Sequence, residues 1–145
     1  MNGKIDRFSG KYSFLSNFYP CKVIWNDERY PSAEHAFQAA KSLDKAKRVM
    51  MSVAPNPKEA KRMGRQIKLR PDWEEVKDQI MYECVKYKFE NDEELKQKLL
   101  DTGSAELIEG NNHKDTYWGV YRGEGQNKLG NTLMRVREEL RGNLL

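Results

Sequence analysis

The chain has little cysteine. Cys21 and Cys84 are its two thiols in 145 residues; neither sits in a CxxC pair and neither has a second ligand at metal spacing. That argues against a disulfide framework or a zinc ribbon, and both are expected to be reduced packing thiols. Long apolar runs are missing as well. Hydrophobic residues make up 38% of the chain and charged ones 33%, and no stretch nears the roughly 18 apolar residues that suggest a membrane span. The opening segment MNGKIDRFSGKYSF has no apolar core of the kind a secretory signal needs, so the expected compartment is the cytoplasm, with no membrane partner. His35 and His113 are the two histidines, far apart and without acidic or cysteine partners at ligand spacing; no metal site is expected. A large excess of one charge is also absent. With 26 basic and 22 acidic residues the net charge is +4, which supports an anionic ligand only weakly. Lys45, Lys47, Lys58, Lys61 and Lys68 crowd the first half and would attract phosphates or a nucleic-acid backbone, although a solvated helix face is the plainer account.

No repeat, low-complexity tract or linker interrupts the chain, so one domain over residues 1–145 is expected. The early part reads as short strands. Val23 to Trp25 is apolar, Asn26-Asp27 are turn formers, and a brief return strand reaches Tyr30, which together predict a hairpin. Pro31 ends it, and Ser32 is a good N-cap for a helix through PSAEHAFQAAK, with Glu34 in the first turn where the helix dipole favours negative charge. Asn56, Pro57 and Glu59 form a second start signal, for a helix through about Gln66. After Pro71, the residues Trp73, Val76, Ile80, Cys84 and Tyr87 recur at steps of three and four, which predicts the longest helix. Asn91 with Glu94 repeats the capping arrangement, and Gly103 offers a stop. Leu107 and Ile108 suggest a short strand. Leu129, Leu133, Val136 and Leu140 fall on one stripe of a final amphipathic helix. The fold class is therefore α+β and predominantly helical, with a small N-terminal hairpin and short strands. Between the last strand and the last helix lies EGNNHKDTYWGVYRGEGQ, and a loop that long in a small domain tends to carry function.

Several motifs fail on inspection. GQNKLGNT, Gly125 to Thr132, has the glycine spacing of a phosphate loop, but Asn131 stands where the lysine belongs. GEGQNKLG lacks the third glycine and the preceding strand of a dinucleotide fingerprint. No G-x-S-x-G elbow or Cys-His pairing supplies an acyl-transfer nucleophile. What remains is carboxylates, aromatics and one well-placed lysine. Glu34, Gln38 and Lys41 fall at i, i+4 and i+7 on one stripe of what would be a surface helix. Glu34 and Asp115 are candidate acid-base groups, a combination suited to cleaving a glycosidic bond. Trp73, Tyr117 and Trp118 offer flat faces for a base or sugar. The competing reading makes Glu34 a helix-dipole residue and Trp73 a core residue.

A resemblance sharpens these alternatives. FLSNFYP, YPSAEHAFQAAK, KRMGRQ, RPDWEEVKDQIM, LIEGNNHKDTYWG and NKLGNTLMRVREEL occur in the order and spacing of the YbiA-like, or NADAR, domain family. The chain resembles that family from about Phe8 to Leu140. The resemblance implies N-glycosidase activity on ribosyl-type substrates: phosphorylated ribosylamino-pyrimidine intermediates of riboflavin synthesis, or ADP-ribose on guanine, free or in DNA. It implies that Glu34 is the essential glutamate, and that Trp73, Asp115, Trp118 and Gly119 match the family's PDWE and DxxWG elements. Asn17 and Phe18 match the block that borders the pocket, Lys41 the lysine closing the helix motif, and Arg62, Gly64 and Arg65 the RMGR element. On this basis Glu34, Lys41 and Asp115 are the expected catalytic residues. Asn17, Phe18, Gln38, Arg62, Arg65, Trp73, Trp118 and Gly119 are the expected substrate-binding ones, with no metal and no cofactor. Lys41 would either trap C1 as a Schiff base or act as a cation toward phosphate or ring oxygen, the latter being favoured. The chain departs from the family pattern at Ala36 and Ala40, which bears on the shape of the pocket. A non-catalytic ADP-ribose or nucleotide-binding module, and a nucleic-acid binder using the lysine-rich half, are the alternatives from other classes.

Overall fold

A computed structural model of the chain describes residues 3–142. The first two and last three residues, which the single-domain expectation over 1–145 includes, lie outside the described residues. The elements run in the order β1 (Lys4–Ile5), a 3-10 turn (Gly10–Leu15), β2 (Val23–Trp25), β3 (Glu28–Tyr30), α1 (Ala33–Ala39), α2 (Lys45–Ser52), α3 (Pro57–Gly64), α4 (Trp73–Glu90), α5 (Glu93–Asp101), β4 (Glu106–Leu107) and α6 (Lys128–Gly142). The fold is α+β and mainly helical, as expected. Contacts divide the chain into two compact units, residues up to Ser16 with those from Phe89 on, and Asn17–Lys88.

In the Asn17–Lys88 unit, β2 and β3 pair antiparallel with Val23 opposite Tyr30 and Trp25 opposite Glu28. Asn26 and Asp27 take φ of 53° and 63°, the double left-handed turn that matches strand twist and that these two residue types tolerate best. The Trp25 indole N–H then donates to Glu83 of α4 at 2.9 Å. Ser32 caps α1 by accepting the His35 N–H at 3.0 Å. The same Oγ lies 2.7 Å from His35 Nδ1, and His35 Nε2 lies 3.1 Å from the Ala54 carbonyl. A carbonyl only accepts, so Nε2 carries the proton and Nδ1 accepts from the Ser32 hydroxyl. Every residue of α1 is buried, which corrects the expectation of a surface helix. Ala33, Ala36, Ala39 and Ala40, all at 0% exposure, leave room for the hairpin, α2 and α3 to close around it.

Asn56 caps α3 as expected, its Oδ1 accepting the Glu59 N–H at 2.8 Å, and Pro57 opens the helix. Helix α3 ends at Gly64, two residues short of the expected end. Helix α2 was not expected. Asp44 caps it, but of its large apolar residues only Met51 is buried, beside Arg48, while Val49 and Met50 are exposed. The Arg48 guanidinium is held by the Ser42 carbonyl at 2.7 Å, by Glu28 at 3.5 Å and by the Trp25 ring 4.9 Å away. Helix α4 is the long helix, but its buried stripe is wider than the sequence period indicates. It comprises Trp73, Ile80, Met81, Cys84, Val85, Lys88 and Phe89, with Tyr87 only half-buried. Lys88 takes the inward place, with its ammonium 5.6 Å from the Tyr19 ring.

In the other unit, β1 and β4 form a parallel pair, Lys4 with Glu106 and Ile5 with Leu107. Residue 108, expected in the strand, continues the ladder through its N–H to Ile5 O at 2.8 Å. The strand β1 is too short to carry a period-2 signal and was not expected. Helix α5 is capped by Asp92, through Leu95 N–H at 3.0 Å, rather than by the neighbouring Asn91; Gly103 follows it with φ of 64°, the left-handed stop. Helix α6 buries Leu129, Leu133, Val136 and Leu140 as expected. It also buries Arg137, which donates to Thr102 Oγ1 and Ala105 O, both at 2.9 Å.

Candidate active site

The first turn of α1 presents Glu34, which is 8% exposed. Its N–H donates to Asn17 O at 3.0 Å, so the N-terminal block and the helix motif meet at this residue. Asn17 is itself buried, with Nδ2 3.1 Å from Met81 Sδ. One turn along, Gln38 donates from Nε2 to Glu34 Oε2 at 2.6 Å. A bond that short is typical of a donor serving a charged acceptor. The i, i+4 spacing does produce the contact expected of one helical stripe.

Lys41 lies past the helix end. Its N–H reaches Gln38 O at 3.2 Å, and its carbonyl accepts the Arg70 N–H at 2.7 Å. The Lys41 ammonium stands 6.0 Å from the Trp73 ring centre. Trp73 in turn packs on Phe37, with centroids 5.1 Å apart and planes at 54°. Burial lowers the Lys41 pKa; the Glu34 carboxylate opposes that shift, while Arg65 and Lys61 add to it. One acid and two further cations thus act on Lys41. Lys61 also stands 6.0 Å from the ring of Phe18, and Phe18 is 39% exposed, unusual for a large aromatic. Lys61 belongs to the lysine group noted in the sequence, but only the fold singles it out.

The two arginines of the RMGR element differ. Arg65 follows the end of α3 and acts electrostatically on Lys41. Arg62 is exposed and engages Glu59, Nε to Oε1 at 2.8 Å, and Gln66 at 3.3 Å. Gly64 between them packs against Gln38: an added β-carbon would stand 1.9 Å from Gln38 Oε1.

Asp115, Trp118 and Gly119 belong to the other unit, where they share one turn of the loop before α6. Asp115 Oδ1 accepts the N–H groups of Tyr117 at 3.0 Å and Trp118 at 2.9 Å. Asn111 clamps the same residue, donating to Asp115 O at 2.9 Å and accepting from its N–H at 3.0 Å. The carbonyls of Tyr117, Trp118 and Gly119 then accept the N–H groups of Lys128, Leu129 and Asn127, satisfying donors that open α6. A β-carbon on Gly119 would lie 2.2 Å from Glu109 O, so close packing requires glycine there. Asn111 is the organising residue that the sequence reading did not single out; its only signal was a place in the Asn-rich loop.

A buried carboxylate bonded to an amide, with a lysine of lowered pKa and an aromatic shelf nearby, is equipped for proton transfer beside an anionic ligand. Comparison with known proteins gives the family. The NADAR domain model matches residues 6–141, and the chain belongs to that family. It is 42% identical over 135 residues to N-glycosidase YbiA of Escherichia coli, covering 91% of this chain and 84% of the relative. It is 41% identical over 140 residues to an N-glycosidase of Nostoc punctiforme, covering 92% and 88%. A riboflavin biosynthesis protein of Vibrio vulnificus is 39% identical over 132 residues, which cover 89% of this chain and 36% of that longer protein. The NMR structure of Escherichia coli YbiA superposes with a TM-score of 0.87 at 38% identity, covering 99% of this chain and 89% of that one.

Proposed function

We propose that the chain hydrolyses the C1–N bond between a phosphorylated ribose and an amine or base nitrogen, with Glu34 moving the proton. As a NADAR family member with N-glycosidases at 42% and 41% identity, it is an enzyme of the N-glycoside hydrolase class. Two substrate types fit the finer reading. One is a ribosylamino-pyrimidine phosphate, in keeping with the riboflavin name of the Vibrio relative; the other is ADP-ribosyl-guanine, free or in DNA.

The short bond from Gln38 to the buried Glu34 carboxylate is the observation that carries the reading. In the proposed reaction the Glu34 carboxylate takes a proton from water as the water oxygen adds to C1. The C1–N bond breaks with its electron pair going to nitrogen, and the Glu34 carboxyl passes that proton to the departing nitrogen, which restores the carboxylate. Lys61 and Arg65 both repel the Lys41 charge, and a substrate phosphate relieves that repulsion. This makes Lys41 a binding cation in the first instance. A covalent role remains chemically open to its amine, and borohydride trapping under turnover distinguishes the two: an adduct on Lys41 forms only through an imine. Trp73 provides the apolar floor beneath the ammonium.

The test of the reading is a panel of ribosylamino-pyrimidine phosphate, ADP-ribosyl-guanosine and ADP-ribosylated DNA, followed by chromatography. Release of the free amine or base from at least one supports it. Return of all three intact overturns it.

A further inference from the structure

Gln38 is 4% exposed, and its two amide atoms fare differently. Nε2 donates to Glu34 Oε2 at 2.6 Å. Oε1 is buried and accepts no hydrogen bond among the described residues. A buried acceptor with no donor lowers stability, which is why folded proteins hold few of them. Methionine, of nearly the same length, would fill this space without the unsatisfied oxygen. The amide is therefore retained for what Nε2 does.

Gly64 accounts for how the amide is held. It is the last residue of α3 and has no positive φ, so backbone freedom does not demand glycine, and alanine would favour the helix. A β-carbon there would lie 1.9 Å from Gln38 Oε1, 2.8 Å from its Cδ and 3.3 Å from its Cβ. Only hydrogen fits between the two. Any larger group at position 64 drives the Gln38 side chain from its present rotamer and takes Nε2 away from Glu34.

We propose that Gln38 is the positioning residue for the Glu34 carboxylate, and that Gly64 is the stop that holds Gln38 in place. This rests on the reading of Glu34 as the proton-transferring group. With one oxygen committed to the amide, the plane of the carboxylate is fixed, and the proton is offered in one direction. Proton transfer depends steeply on that alignment.

Gln38→Met and Gly64→Ala test the proposal, beside Glu34→Gln as reference. The expected result is that both variants unfold at or near the wild-type temperature while kcat falls about tenfold or more and KM stays within about twofold, the pattern of lost transition-state alignment. A second measurement does not depend on turnover: the side-chain amide signal of Gln38 in solution NMR. In the wild type one Nε2 proton is expected downfield and slow to exchange, and in Gly64→Ala it returns to the ordinary glutamine position. Wild-type kcat in Gln38→Met, or an ordinary fast-exchanging Gln38 amide in the wild type, overturns the proposal. If the wild type cleaves no substrate, the functional reading fails by itself and the amide signal still decides whether Gly64 and Gln38 hold Glu34.

Discussion

The backbone N–H of Arg70 donates to the carbonyl of Lys41 at 2.7 Å. This bond fixes a lysine that lies beyond the last turn of α1 and would otherwise sit on an unsupported segment. The Arg70 guanidinium adds a contact to Ala40 O at 3.4 Å and a pair with Asp72 at 2.7 Å.

Arg70→Ala keeps the backbone bond but removes the guanidinium that braces it. The side chain is largely covered, at 15% exposure, whereas Asp72 is 41% exposed, so the loss of stability is expected to be about 1 kcal/mol. The kinetic effect is expected in binding: KM for a phosphorylated substrate rises several-fold and kcat changes less. Steady-state kinetics and thermal unfolding on the same sample check both.

Lys41 gives a pH dependence of known sign. Burial lowers its pKa below the ordinary 10.5, so on the alkaline side it loses its charge before an exposed lysine does. Binding of a substrate phosphate therefore weakens as pH rises through that lowered value. Lys41→Arg, whose guanidinium stays charged, is expected to remove this alkaline rise in KM. A KM profile of both proteins across the alkaline range measures it.

Lys88 governs stability instead. Its burial pushes the pKa down to about 8, against 10.5 in an unfolded chain. Between those values the unfolded chain holds the proton and the folded one does not, so stability rises with pH across that window. The total gain is expected to be of the order of a few kcal/mol. Denaturant unfolding at intervals from pH 7 to 11 should show the slope, and Lys88→Met should abolish it.

His35 titrates in the opposite part of the scale. Burial lowers its pKa below 6.5, so the unfolded chain takes up the proton first as pH falls. Stability conferred by the neutral ring is present above about pH 6.5 and is lost below it. His35→Ala also removes the Ser32 and Ala54 contacts from a wholly buried helix, and the expected cost is about 2–4 kcal/mol by thermal unfolding.

Much of the fold was legible where a local signal and the tertiary structure agree. Ser32 and Asn56 cap helices because their side chains satisfy orphan N–H groups, and Asn26-Asp27 turn the hairpin because both tolerate positive φ. The stripe of α6 is read correctly because one face meets the core. Helix α2 escaped notice because tertiary packing mixes its pattern, burying Arg48 beside Met51 and exposing Val49 and Met50. The cap of α5 was misplaced by one residue because Asn91 and Asp92 are equally good capping types. The full burial of α1 could not be read from alternating acid, imidazole and amide residues, since only the closing of α2 and α3 over its alanines produces it. At the candidate site, Glu34, Gln38 and Lys41 were visible as a helical stripe, but the fit of Gln38 against Gly64 depends on how α1 and α3 meet, which no sequence period reports.

Glu34→Gln tests the central claim most directly, by release of free amine or base from the substrate that the wild type cleaves best. The variant is expected to unfold like the wild type and to lose kcat by about a hundredfold or more, the scale of a missing acid-base group. Turnover at the wild-type rate in the folded variant would contradict the account.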